Sequence, residues 1–177
     1  MELQECLIKR RSIRQYTNQS VSNEIIESLI QAAIYAPSWK NSQVSRYYVL
    51  NEKAKIKQFM QYFPSFNQES LKDAPVLIIS TVVKGRSGYN RQGEAETHLG
   101  HGWQCFDNGL QVQNICLKAT ELGLGSLIVG IYDEKGIRDY LQIPDTEDLM
   151  AIIAIGYYNE TVEMPKRKSV SDILTYK

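Results

Sequence analysis

Within five positions near the N-terminus, Arg10-Arg11-Ser12-Ile13-Arg14 sets three guanidinium groups around one hydroxyl. A guanidinium presents a rigid fork of donors that matches phosphate oxygens and keeps its charge at any physiological pH. A serine hydroxyl and neighbouring backbone N–H groups can complete such a cradle. A short basic run can equally be a solvated patch. Here a second cluster, Lys166-Arg167-Lys168, stands near the other end of a chain whose 20 basic and 20 acidic side chains cancel. Two local cationic clusters in a balanced chain point to a focused anion site.

A second candidate is the loop Ala36-Pro37-Ser38-Trp39-Lys40-Asn41-Ser42-Gln43. It gathers hydroxyls, two amides, a cation and an indole, a set able to hydrogen-bond a heteroaromatic ligand while Trp39 covers it. Its plainer reading is a helix-to-strand connector. Other chemistry finds less support. Gly123-Leu124-Gly125-Ser126 follows a helix and enters a strand, the reverse of the dinucleotide-fingerprint context. His98, His101 and Cys105 are competent metal ligands, but Gly100 and Gly102 interrupt the helix that would align them, and no fourth ligand is evident. No Gly-x-Ser-x-Gly elbow occurs, and there are only two histidines. Asp107 is expected to act as a cap or an interface hydrogen-bond acceptor. An anion cradle without an acid, base or nucleophile set is what a protein shows when a cofactor carries the chemistry.

The elements that must position these residues alternate between helix and strand. Residues 2–9 predict a short helix with Leu3, Cys6 and Leu7 on one face. Ser22 reads as an N-cap, Val21 staples to Ile26, and Ile25, Ile26, Leu29, Ile30 and Ala33 recur at helical spacing over 23–35 until Pro37. A strand is predicted over 46–50 and a helix over 52–62 with Ile56, Phe59 and Met60 inward. The β-branched run 75–83 predicts a central strand buried on both faces. Residues 84–103 form a glycine-rich insertion carrying Arg86, Tyr89, Arg91, His98, His101 and Trp103. A long helix over 104–122 distributes Phe106, Leu110, Val112, Ile115, Cys116, Leu117, Ala119 and Leu122 widely enough to suggest burial on more than one side, and Gly123 closes it. A strand over 125–131, a helix over 134–141 and a strand over 149–157 follow. This alternation indicates an α/β or α+β layered fold.

The chain has 177 residues, 43% hydrophobic and 23% charged, which fits one soluble domain, or one protomer whose ends pack on a partner. The charge balance argues against nucleic-acid binding. No apolar run reaches membrane-spanning length. The acidic start, Met1-Glu2-Leu3-Gln4-Glu5, lacks a signal peptide's basic and apolar regions, and three cysteines without a Cys-x-x-Cys pair suit a reducing cytoplasm.

Six stretches, in order, resemble the nitroreductase family of FMN-dependent oxidoreductases. They are Arg-Arg-Ser-Ile-Arg-Gln-Tyr at 10–16, Ala-Pro-Ser-Trp-Lys-Asn-Ser-Gln at 36–43, Asp-Asn-Gly-Leu-Gln-Val-Gln-Asn at 107–114, Glu-Leu-Gly-Leu-Gly-Ser at 121–126, Ile-Ala-Ile-Gly-Tyr at 153–157 and Pro-Lys-Arg-Lys at 165–168. The resemblance implies an α+β fold with a central, mostly antiparallel sheet flanked by helices, working as an intertwined homodimer with FMN at the subunit interface. A single domain would span 1–177, with 159–177 as an arm on the partner. By the same resemblance Arg10, Ser12 and Arg14, with Arg11 less closely matched, and Arg167 and Lys168 contact the phosphate and ribityl chain. Pro37, Ser38 and Trp39 reach the isoalloxazine from the other subunit, Asn41 and Gln43 support them, and Gly125-Ser126 borders the ring. NADH or NADPH would supply electrons and a nitroaromatic, quinone or similar small molecule would take them, with Arg14 and Lys40 tuning the flavin. The alternative is a flavin-binding carrier or sensor without that activity. Where many members carry Gln-Pro-Trp, this chain has Gln43-Val44-Ser45, and 84–103 matches only a subset, so the resemblance speaks to cofactor more than to substrate.

Overall fold

The run Val76–Val83 (β2) is the spine of the fold, and its seven residues from Val76 to Val82 are all buried. Side chains alternate across a strand, so Val76 and Ile78 enter one core while Leu77 and Ile79 enter the other. Each fully buried aliphatic side chain contributes roughly 1.5–3 kcal/mol, which is why this stretch lies at the centre and nowhere else. The computed structural model describes residues 1–177. Its sheet has the order β1-β2-β4-β3, with β1 at Ser45–Leu50, β3 at Gly125–Val129 and β4 at Glu147–Gly156. Every neighbouring pair is antiparallel.

One face of the sheet is covered by α2 (Asn23–Ile34) and α5 (Gly102–Glu121), which supply Leu29, Ala33, Val112, Ile115 and Ala119 to a common core with Ile153 and Ile155. The other face is covered by α3 (Lys53–Phe59), α4 (Ser65–Leu71) and α6 (Glu134–Leu141), through Ile56, Phe59, Leu71 and Ile137. The N-terminal helix α1 (Leu3–Lys9) rests beside α5 and buries Cys6. Ser22 caps α2 by accepting the Ile25 N–H at 3.4 Å. α5 ends in a Schellman turn: Leu124 N–H donates to Ala119 O at 2.8 Å and Gly123 N–H to Thr120 O at 3.1 Å. Gly123 takes φ +75°, a left-handed conformation that a side chain disfavours. No helix is long and apolar enough to cross a membrane.

Several expectations change. The predicted helix over 52–62 stops at Phe59 and tightens into a 3₁₀ turn at Met60–Tyr62. Helix α4 was not evident, because its seven residues are mostly polar and only Leu71 is buried. On α1, Cys6 is buried, but Leu3 and Leu7 face solvent in the single chain. The larger correction concerns α5. Phe106 is 57% exposed and Leu122 is exposed, while Gln104, Asp107, Asn108 and Gln111 are buried. Those polar residues recur at three- and four-residue spacing, so they form a stripe on the inward face of the helix. The stripe has acceptors and donors to meet: Asn108 Nδ2 donates to Ser45 Oγ at 3.0 Å and to Ser80 Oγ at 2.7 Å, and Tyr47 donates to Gln111 Oε1 at 2.8 Å. Burial of a paired polar group costs little, whereas an unpaired one is expensive.

Candidate functional site

The arginine stretch forms a short extended segment beside β3. Ser12 and Ser126 pair as a parallel bridge, and the Ile13 N–H donates to Ser126 O at 3.0 Å. Gly125 makes this approach possible, since a Cβ there would sit 2.6 Å from Ile13 Cγ1 and 2.7 Å from its Cβ. Gly125 and Ser126 are both buried, and they hold the arginine segment in place. Tyr16 locks the far end, its hydroxyl donating to Ile13 O at 2.8 Å, and burial pushes that phenol far above its ordinary value. Burial also pushes the Cys116 thiol up, against smaller opposing effects of the Ser126 hydroxyl and the Arg10 guanidinium.

The three arginines differ in what they do. Arg11 is spent on the chain itself: Nε donates to Val162 O at 3.2 Å, and Nη1 to Arg10 O at 2.8 Å and to Ile8 O. It ties the last turn of α1 to the segment after β4, which is a strut's role. Arg14 Nη1 reaches only Ser12 O, at 3.3 Å, and its side chain is exposed. Neither Arg10 nor Arg14 has a carboxylate within ion-pair distance. The chain after β4 runs back along this segment, with Thr17 N–H donating to Tyr157 O at 2.8 Å and the Arg14 N–H to Glu160 Oε1 at 3.4 Å. Beyond it, Arg167 and Lys168 are exposed, and Arg167 donates only to Pro165 O at 3.1 Å. Two guanidiniums without anions, beside a half-buried serine, fit a phosphate group.

The second half of the site is the loop between α2 and β1. Lys40, Asn41 and Gln43 take φ of 45°, 55° and 48°. Each such residue without glycine costs on the order of 1–2 kcal/mol, and strain of this kind concentrates at functional loops. Asp107 offsets it. Its carboxylate, buried at the start of α5, accepts the Trp39 N–H at 3.0 and 3.1 Å, the Ser42 hydroxyl at 3.3 Å and the Ser87 hydroxyl at 2.6 Å. Asp107 is therefore not a helix cap but, within the chain, an internal anchor. Ser38 Oγ accepts the Gln43 N–H at 3.1 Å and closes the loop. Trp39 packs on Trp103 with centroids 4.6 Å apart, and Lys40 pairs with Glu96 at 2.7 Å. Its charge is thus matched within the chain.

The two halves do not meet. In the sheet register Ser45 pairs with Val82, Val82 with Asp148, and Ser126 with Ile155. From Asp148 to Ile155 is roughly 23 Å along the strand, and three strand spacings add roughly 14 Å across. The arginine segment and the loop 37–43 thus lie toward diagonal corners of the sheet, with Ser45 and Ser126 on the order of 25 Å apart. His98 and His101 fall in turns before α5, and no group of three or more His, Cys, Asp or Glu side chains is placed to hold a metal ion. Asp107, Ser42 and Ser87 were missed as a set by sequence reasoning. The one available signal was the polar stripe Gln104-Asp107-Asn108-Gln111, which breaks the apolar period of α5.

The fold is shared with known proteins. A model of the Nitroreductase family matches residues 7–65 and 57–157. A relative from Archaeoglobus fulgidus with the provisional name NADH dehydrogenase/NAD(P)H nitroreductase is 30% identical over 162 residues, covering 88% of this chain and 86% of its own. The crystal structure of a nitroreductase family protein from Streptococcus pneumoniae TIGR4 shares the fold with a TM-score of 0.86 at 22% identity, over 99% of this chain and 100% of its own. An FMN-dependent nitroreductase from Clostridium difficile R20291 is 29% identical with a TM-score of 0.72, over 95% and 92% of the two chains. With its antiparallel sheet, its arginine segment against β3 and a family match spanning most of its length, the chain belongs to the nitroreductase family of FMN-dependent NAD(P)H oxidoreductases.

Proposed function

We propose that the protein is a homodimeric flavoenzyme that passes electrons from NADH or NADPH to an electron-poor small molecule, such as a nitroaromatic or quinone, in two separate half-reactions. The observation that carries this reading is the diagonal separation of the two half-sites. A second copy related by a two-fold axis brings the loop 37–43 of one chain to the arginine segment of the other, and does so twice. Exposed Leu3, Leu7, Ile34, Tyr35 and Phe106 supply apolar surface for such an interface. The single domain 1–177 then carries an arm, 159–177, with Val170, Ile173 and Tyr176 exposed, as a segment that packs on a partner would be.

In this reading Arg10, Ser12 and Arg14, joined by Arg167 and Lys168, hold the FMN phosphate and ribityl chain, with Arg11 behind them as a strut. Pro37, Ser38 and Trp39, supported by Asn41 and Gln43, face the ring from the other subunit, and the Gly125-Ser126 backbone borders the ring. Bound FMN supplies the two-electron redox chemistry. The chain's own part is electrostatic: Arg14 offsets the negative charge that reduction adds, and Lys40 does so to the extent that its pair with Glu96 opens. The three free cysteines, two of them buried, suit a reducing cytoplasm.

The test is the absorbance spectrum of the purified protein, followed by anaerobic NADH, then NADPH, then a quinone or nitroaromatic. Bleaching by a nucleotide and return with the acceptor is expected, in a species that sediments as a dimer. A bound flavin that no nucleotide bleaches would establish a carrier or sensor, and absence of flavin after soaking in FMN would end both readings.

A further inference from the structure

Beside the strained loop lies an open cavity of about 560 Å³, walled by Trp39, Lys40 and Asn41 on one side and by Arg86, Tyr89 and Arg91 on the other. No carboxylate lines it. Lys40 is matched by Glu96, but Arg86 and Arg91 have no carboxylate within ion-pair distance. Both are held by buried or pinned neighbours. Arg86 precedes Ser87, which is fully buried and bonded to Asp107 at 2.6 Å. Arg91 follows Asn90, whose Oδ1 accepts the N–H groups of Gln92 at 3.0 Å and Glu94 at 2.9 Å in a tight turn. Each wall carries an aromatic ring: Trp39 rests on Trp103, and Tyr89, on the side of the two arginines, packs on His101 at 5.4 Å. Two other cavities, of about 400 and 520 Å³, also hold cationic side chains, but Asp73 stands in the wall of both and Lys72 there is closed onto Glu69 at 2.5 Å.

We infer that the cavity between the loop 39–42 and the insertion 85–91 binds a ligand with a flat ring and an anionic group, the anion paired by Arg86 and Arg91. This rests on the flavoenzyme reading for its role, since loop 37–43 is the one assigned to the ring of FMN. A guanidinium pairs carboxylate or phosphate through two parallel hydrogen bonds, and a flat ring gains from an aromatic wall. Two sources carry this chemistry: an aromatic acceptor bearing a carboxylate, and a nicotinamide donor with its phosphates.

Of the chain's two tryptophans, Trp39 lines this cavity and Trp103 packs against it, so their emission reports binding without turnover. The experiment titrates the FMN-loaded protein with para-nitrobenzoate and its uncharged match para-nitrobenzamide, and separately with NADPH and NADH. It repeats this in Arg86→Gln/Arg91→Gln, two exposed positions where folding is not at stake. The expected result is para-nitrobenzoate binding about tenfold tighter than the amide in the wild type, the scale of one charge-assisted contact, and less than about twofold tighter in the variant. Added salt should shrink the wild-type difference. If para-nitrobenzoate shows no preference but NADPH outbinds NADH and the variant loses that difference, the anion belongs to the dinucleotide. If neither difference exists, or both survive in the variant, the inference is overturned. A wild type that prefers the anion while its flavin stays unbleached by either nucleotide would refute the proposed activity and leave this site standing.

Discussion

Removal of the Asp107 carboxylate should release the loop 37–43. That carboxylate receives the Trp39 N–H at both oxygens, at 3.0 and 3.1 Å, and two serine hydroxyls, one of them on fully buried Ser87. Hydrogen bonds to a charged acceptor are worth about 1.5–3 kcal/mol each, less the cost of holding the charge in the interior. In Asp107→Ala the Trp39 N–H and the Ser87 hydroxyl lose their acceptor, which predicts a loss of about 2–4 kcal/mol. Asp107→Asn keeps one carbonyl oxygen, and the serine hydroxyls can turn to accept from its amide, so about 1–2 kcal/mol is expected. Lys40, Asn41 and Gln43, at positive φ, then have less to hold them there. Urea unfolding at constant m-value measures the global term. Hydrogen exchange of the amides of residues 39–43 measures the local one, and should speed up in the order wild type, Asn, Ala. An alanine variant within about 0.5 kcal/mol of the wild type, with unchanged exchange in the loop, would refute the anchor.

Arg14→Ala should weaken FMN binding by roughly ten- to a hundredfold, the loss of one charge-assisted contact, as read by flavin fluorescence during titration of the apoprotein; unchanged affinity and turnover would remove Arg14 from the cofactor site. Gly125→Ala forces a methyl to within 2.7 Å of Ile13, and overpacking of this kind costs about 1–3 kcal/mol. Its melting temperature should fall and its flavin content with it, whereas a fall in stability with full flavin retention would separate Gly125 from the site. Burial pushes the phenols of Tyr47 and Tyr132 up to about 12, above their ordinary value near 10. The unfolded chain therefore releases these protons first as pH rises, so the stability they contribute is whole below about pH 10 and lost towards pH 12. Urea midpoints across that range should fall, with a shallower fall in Tyr132→Phe; an unchanged slope would mean that burial does not hold that proton.

How much of this was legible in the sequence depends on the range of the forces involved. β2 was legible because a run of β-branched residues buried on both faces has no other stable place than the centre of a sheet. α2 and α6 were legible because a cap, an amphipathic period and a stop signal are all local. α4 was not, since seven polar-rich residues with Leu71 as their one buried side chain carry almost no period. α5 misled because its apolar residues follow a helical period while its inward face in the first two turns is set by what lies beneath: the loop 37–43, Ser45, Ser80 and Ser87.

The sequence by itself determined the residue types of the proposed cofactor site and the order of its motifs. Guanidiniums, hydroxyls and a Pro-Ser-Trp loop announce their chemistry wherever they fold, and their order carried the family. Only the tertiary structure decided which of them work together. It spent Arg11 on carbonyls, seated Ile13 against Gly125, made Asp107 an internal anchor where a helix cap was one expectation, and set the two proposed half-sites at diagonal corners of one sheet. Those outcomes depend on strand register and on which helix face meets which edge. Such contacts join residues as distant in sequence as Arg11 and Val162, and no local pattern encodes them.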